Sequence, residues 1–199
     1  QYYSSKGGVL FNKNQTELIC YPEEKSDISY MIPDSVTSIG EDAFSYCSSL
    51  TSIIIPDSVK TIGRGAFSYC SKLASITIPE SVTSINTYAF NECVALTQIN
   101  WNAINVEAFS SSNYVFYNAG TSGTGISVNF GNNVESIPAY AFCPTSTGTN
   151  NIKLTSVTIG NNVNNIGRDA FKGCNNPINV YITDLAKWCN ITFSNAYSN

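Results

Sequence analysis

At 199 residues the chain is long enough for one continuous core, and it is expected to form a single domain. Only 12% of its residues are charged and the formal net charge is −4, so no basic stripe exists to neutralise phosphates; this argues against nucleic acid and equally against an anionic membrane surface. The absence of histidine removes Ser-His and Cys-His nucleophile pairs and every histidine-containing metal site, and no apolar run approaches the ~18 residues of a membrane-spanning helix.

In residues 1–31, Val9-Leu10-Phe11 and Leu18-Ile19-Cys20-Tyr21 flank the polar run from Asn12 to Glu17, which predicts an N-terminal β-hairpin. Its expected role is to cap an open end, where apolar surface and unpaired strand edges would otherwise meet water. Gln1-Tyr2-Tyr3 lacks the basic and apolar leader of a signal peptide, so the chain is expected to be a processed or trimmed product.

From Ile32 to Asn100 one sequence is written three times: IPDSVTSIGEDAFSYCSSLTSII, IPDSVKTIGRGAFSYCSKLASIT and IPESVTSINTYAFNECVALTQIN. Pro33, Pro56 and Pro79 are 23 residues apart, as are Phe44, Phe67 and Phe90, and Cys47, Cys70 and Cys93. A fixed period in this range signals a solenoid of stacked units. Within a unit, Leu50, Ile53 and Ile55 predict a short strand with these side chains inward and Ser52 and Ile54 outward. Pro56 suits the strand's end because it cannot donate to a ladder, and Asp57 and Ser58 form a turn. Val59 and Ile62 return to the core, and Ala66-Phe67 fits a short helical or 3₁₀ segment. The Ala-Phe pair recurs as Ala43-Phe44, Ala66-Phe67, Ala89-Phe90, Ala108-Phe109, Ala141-Phe142 and Ala170-Phe171, which implies six coils with stacked rings.

This pattern resembles the BspA-like leucine-rich repeats, whose signature of roughly L-x-x-I-x-I-P-x-x-V-x-x-I-G-x-x-A-F-x-x-C is matched nearly residue for residue over most of the chain. The resemblance implies an α/β repeat solenoid, a right-handed coil with a parallel β-sheet on the concave face and short helical or 3₁₀ turns on the convex side. It also implies a secreted or cell-surface protein of bacteria or parasitic protists, associated with adhesion to host proteins or other cells.

Beyond the regular units, Phe90 to Phe109 is 19 residues, Phe109 to Phe142 is 33 and Phe142 to Phe171 is 29. Aligning Leu96, Ile99 and Trp101 on Leu73, Ile76 and Ile78 puts Trp101 in the place of the repeat's opening Ile. Four residues are then missing from the next turn, and Trp101 is expected to fill that volume; an exposed binding aromatic is the competing reading. The longer intervals predict inserts near 110–125 and 143–153 at equivalent points of adjacent coils, so that both loops emerge side by side from one edge. After these irregular repeats (101–182), residues 183–199 contain Asp184, expected to N-cap a short helix, and Trp188, expected to close the core.

Cys47, Cys70, Cys93 and Cys174 each follow the repeat's Phe by three residues and are read as buried thiols in one column, with an inter-turn disulfide or metal ladder as the alternative. Cys20, Cys143 and Cys189 fall off that column, and Cys143, beside Pro144, is expected to be exposed. Asp34, Asp57 and Glu80 share a row continued by Asn132 and Asn161, as turn residues would; a cation held by neighbouring carboxylates is the alternative. The stretch GTSGTG lacks the lysine and helix of a phosphate loop.

No catalytic residue, metal or cofactor is therefore expected. The reading is a non-catalytic binding module for an extracellular protein or glycan; a passive spacer is the alternative and a hydrolase a distant one. Two surfaces compete for the partner. The sheet face offers Thr77, Asn100 and Tyr181 among small polar groups, with few of the anchors that dominate binding energy. The loop edge offers Tyr114, Phe116 and Tyr117 beside flexible glycines, a paratope-like combination, and is preferred over the sheet; these aromatics simply packing the insert onto the coil is the competing reading.

Overall fold

Seven short strands, Ser29–Met31, Ser52–Ile54, Ser75–Ile78, Gln98–Trp101, Ile126–Phe130, Leu154–Ile159 and Asn179–Ile182, stand side by side in chain order. Each is parallel to the next, as one turn of a solenoid lying on another demands. They belong to a computed structural model that describes residues 2–143, 152–174 and 178–194. Side chains alternate across the sheet: Ile53, Ile76, Ile99, Val128 and Val157 are buried, while Ser52, Ser75, Thr77 and Asn100 lie on the opposite face.

A second row of two-residue strands, Ser38–Ile39, Thr61–Ile62 and Ser84–Ile85, runs parallel beside the turn that follows each long strand. At the N-terminus, Val9–Asn12 and Glu17–Cys20 form the expected antiparallel hairpin, with Tyr3–Lys6 as an additional antiparallel strand. Glu17–Cys20 then pairs in parallel with Ser38–Ile39, so the hairpin supplies the edge on which the first coil is laid. At the other end, Ser136–Ile137, Asn165–Ile166 and Thr192–Phe193 make a separate three-stranded sheet.

The corner around each Phe differs from the helical or 3₁₀ segment expected. Asp42 and Tyr46, on either side of Phe44, have φ of 51° and 59°; Gly65 and Tyr69 around Phe67 have 58° and 58°, and Tyr88 and Glu92 around Phe90 have 61° and 58°. A left-handed residue on both sides of the ring breaks any right-handed helical run. The turn aims alternate amides at the next coil instead: Asp42, Phe44 and Tyr46 donate to the carbonyls of Arg64, Ala66 and Ser68 at 2.8, 2.7 and 2.9 Å. Hydrogen bonds thus join the coils at the corner as well as along the sheet. Among the described residues the one α-helix is Leu185–Trp188, so the repeat solenoid is mostly parallel strand and turn with little helix. Asp184 caps that helix by accepting from the Lys187 amide at 3.1 Å, and the half-buried Trp188 meets Phe193 edge-on at 5.9 Å.

The rings stack as a continuous ladder, Tyr21, Phe44, Phe67, Phe90, Phe116, Phe142 and Phe171, with successive centroids 5.2, 5.2, 5.1, 5.2, 5.4 and 5.5 Å apart. This corrects the assignment of Ala108-Phe109 to the fourth rung, which is Val115-Phe116. The Glu107 amide donates to the Thr83 carbonyl just as the Thr83 amide donates to Lys60, so Phe109 falls in the row of Ile85 and packs edge-on against Trp101 at 6.4 Å. The coil beginning at Trp101 therefore loses no residues. Trp101 does pair in register with Ile78 and is fully buried, with its indole N–H donating to the Ala103 carbonyl at 3.1 Å.

Cys47, Cys70 and Cys93 are buried in one column, and their Sγ atoms donate to the carbonyls of Tyr21, Phe44 and Phe67 at 3.7, 3.1 and 3.2 Å; Ala119 takes the next place. Cys174 is half-buried. Cys143, expected to be exposed, is buried directly behind the ladder ring Phe142.

Candidate functional site

The left-handed corners turn two rows of side chains toward solvent. Two residues before each ring stand Asp42, Gly65, Tyr88 and Tyr114; two residues after it stand Tyr46, Tyr69, Glu92 and Asn118, and all eight have positive φ. Within the rows, Tyr46 and Tyr69 lie parallel at 4.6 Å with 3° between planes, and Tyr88 lies on Tyr114 at 5.6 Å and 17°. Tyr117, from the row between, meets Tyr114 edge-on at 6.3 Å. A depression of about 390 Å³ opens among Tyr69, Tyr88 and Tyr117, with Asp42, Arg64 and Glu92 also on its lining. Ser68 on the same lining is only 6% exposed and accepts from Asn91 Nδ2 at 3.1 Å. Arg64 is paired with Glu41 at 2.8 Å, a hydrogen bond that raises the guanidinium's already high pKa, and Glu92 accepts from Asn118 Nδ2. A second depression of about 380 Å³, which includes Tyr21, Glu23 and Glu24, shares Asp42 with the first.

The family model for the BspA type leucine rich repeat region matches residues 20–148 and 112–199, in six copies. The chain belongs to that family. Among solved structures, a leucine-rich repeat protein from Eubacterium ventriosum is 31% identical, with a TM-score of 0.67 over 87% of this chain and 44% of its own. The pneumococcal vaccine antigen PcpA is 25% identical, with a TM-score of 0.72 over 98% of this chain and 46% of its own. The leucine rich repeat protein of T. pallidum, 24% identical with a TM-score of 0.57 over 96% of this chain and 81% of its own, shares the fold. This chain thus spans less than half the length of the first two. No curated protein matches it.

On this BspA-type scaffold the two anticipated surfaces are separate. Tyr114 and Tyr117 meet edge-on, both half-buried, with Tyr117 on the lining of the depression and Tyr114 behind it against Tyr88. Phe116, between them in sequence, is 3% exposed and lies in the ladder between Phe90 and Phe142, so it is a core ring and offers no binding surface. On the long sheet, Asn100 donates to Thr77 Oγ1 at 3.2 Å and accepts from Gln98 and Asn129 at 3.0 and 3.2 Å, so these groups satisfy one another along the strands. Tyr181 is 57% exposed but stands on the last strand, paired with Thr158 and away from Thr77 and Asn100. Of the two inserts, the glycine-rich part of the first meets the end of the second, where Lys153 Nζ donates to the Gly123 carbonyl at 3.1 Å; residues 144–151 lie outside the described residues.

Sequence reasoning missed Asp42, Gly65, Tyr69 and Tyr88. The available signal was a polar or aromatic side chain at a constant offset of two residues on either side of each Phe. Among the described residues, no three carboxylates or thiols gather as metal ligands and no helix is long and apolar enough to cross a membrane.

Proposed function

We propose that this chain is a non-catalytic binding module of a secreted or cell-surface protein, acting as one unit and recognising an extracellular protein or glycan. The observation that carries the reading is the cluster of Tyr88, Tyr114 and Tyr117 beside an open depression, rings held by stacking yet still reaching solvent. Such rings present large amphipathic surface that is already ordered, so little side-chain entropy is lost when a partner covers them. A non-catalytic role is supported by where titration is most perturbed: burial raises the pKa values of Tyr21, Cys47, Cys70 and Cys93, and all four are packed in the ladder or its thiol column. Similarity to a pneumococcal vaccine antigen supports the surface location.

The test is a biolayer-interferometry screen of extracellular-matrix proteins and glycans against the immobilised chain. Saturable binding is expected. It should be lost in the variant carrying Tyr114→Ser and Tyr117→Ser and kept in the variant carrying Thr77→Lys and Asn100→Lys, both with native circular dichroism. Failure to bind anything, the behaviour of a spacer, overturns the reading, and loss in the sheet variant alone overturns the choice of surface.

A further inference from the structure

We infer that the depression around Gly65 is a subsite for a neutral saccharide, and that the chain it takes continues past Asp42 into the neighbouring depression. This rests on the binding-module reading and specifies its ligand. Tyr69 is covered on one face by Tyr46 of the preceding coil, which leaves its other face directed along the solenoid toward the coil of Glu92. Tyr88 is covered by Tyr114 of the following coil, which leaves its free face directed back toward the coil of Gly65. Two open tyrosine faces thus border one depression, and an apolar ring face of a pyranose can lie on either.

Gly65 leaves room that the Asp42 carboxylate of the preceding coil enters. Its φ is 58°, but Asp42, Tyr88 and Tyr114 hold the same place in other coils at 51°, 61° and 46°, so the backbone there accepts a side chain. What a side chain at Gly65 would meet is the Asp42 carboxylate, since an added Cβ would stand 2.1 Å from Asp42 Oδ1 and would have to displace it. The Asp42 carboxylate therefore reaches over the glycine, and Asp42 lines both depressions, of about 390 and 380 Å³. Each lies within the range of roughly 300–1,000 Å³ typical of ligand sites.

The charges select the ligand class. Asp42 and Glu92 on the first depression, and Asp42, Glu23 and Glu24 on the second, repel phosphates, sulfates and uronates, while Arg64, which lines the first depression and is paired with Glu41, opposes an ammonium group seated over the rings of Tyr69 and Tyr88 there. A neutral, hydroxyl-rich molecule avoids both penalties. Its vicinal hydroxyls donate to the carboxylates of Asp42 and Glu92 and accept from Arg64 and Asn91, while its ring takes the tyrosine faces.

Cellobiose, lactose and N,N′-diacetylchitobiose, with the methyl glycosides of their monosaccharides, are titrated into the isotope-labelled chain and followed by NMR, with glucuronic acid and choline as charged probes. At least one neutral disaccharide is expected to give saturable shifts centred on Gly65, Ser68, Tyr69 and Tyr88, and to bind about tenfold more tightly than its monosaccharide. Tyr69→Ala and Tyr88→Ala should each weaken it by about tenfold or more. Gly65→Asn should do the same, because asparagine tolerates the left-handed backbone while filling the space; amide spectra otherwise like the parent's show that each variant is folded. Shifts with choline or glucuronic acid alone, or saccharide shifts mapping away from Gly65, overturn the inference. If a matrix protein is captured through Tyr114 and Tyr117 while none of these saccharides shifts the spectrum, the binding module stands and the saccharide subsite falls.

Discussion

The Tyr21 hydroxyl donates to Asp27 Oδ2 at 2.8 Å, and this bond secures the first ring of the aromatic ladder. Tyr21 is 2% exposed, stacked on Phe44 at 5.2 Å and met edge-on by Tyr30 at 4.9 Å. At the end of a ladder one face of the ring has no further rung, and a phenol lets the ring be held by its tip as well as by its face. The Tyr21 bond, and then Lys25 at 3.2 Å, hold the Asp27 carboxyl below its ordinary range. Burial, and then the same bond, push the Tyr21 phenol up.

The first prediction follows from the signs of these shifts. A carboxyl with a depressed pKa in the folded state contributes stability above its ordinary pKa of 3.8, and that contribution is lost as pH falls through its folded value. A phenol with a raised pKa contributes stability below its ordinary value of 10.0, lost as pH rises through its folded value. Tyr21→Phe should therefore lower the melting temperature near neutral pH, and the gap from the parent should shrink as the pH is lowered below the ordinary carboxyl value of 3.8. A gap that stays constant over that acid range would show that the Asp27 bond contributes nothing.

The second prediction concerns the rung that the sequence did not reveal. Phe116 has a parallel ring on each side, at 5.2 and 5.4 Å, as Phe67 does at 5.2 and 5.1 Å. Phe116→Ala and Phe67→Ala should each cost about 3–5 kcal/mol, from lost burial plus the cavity left between two neighbours. Urea unfolding measures both. A Phe116→Ala midpoint indistinguishable from the parent's would remove Phe116 from the ladder.

The third prediction is chemical. Burial pushes the Cys47 and Cys93 thiols up to about 12, and Cys70 upward as well, so under native conditions they have almost no thiolate to react. Cys20 and Cys189 are exposed. At about pH 8 a thiol reagent should modify Cys20 and Cys189 quickly, and Cys47, Cys70 and Cys93 only after denaturant is added. Peptide mapping that finds the three column thiols labelled as fast as Cys20 would contradict their burial. The linkage runs to the alkaline side: between the ordinary value of 9.0 and about 12 the folded state holds protons that the unfolded state has released, so stability is unaffected below that window and falls as pH rises across it.

The sequence by itself determined the solenoid, because stacking equal coils requires the same side chain at the same place in every turn, and the 23-residue recurrence of Pro33, Phe44 and Cys47 states that directly. It also determined the alignment of Trp101 on Ile78 and the Asp184 cap, both governed by neighbours a few residues away. Only the tertiary structure decided between Phe109 and Phe116 as the fourth rung. Each is a Phe after a small or apolar residue, and the choice is made by the rings of Phe90 and Phe142 above and below, which no local pattern records. The outward rows were hidden for a further reason. Tyrosine and glutamate have little intrinsic preference for a left-handed backbone, so nothing in their identity announces the corners at Tyr46, Tyr69, Tyr88 and Glu92. Those corners are imposed by hydrogen bonds from one coil to the next, and they set Gly65 between two open tyrosine faces.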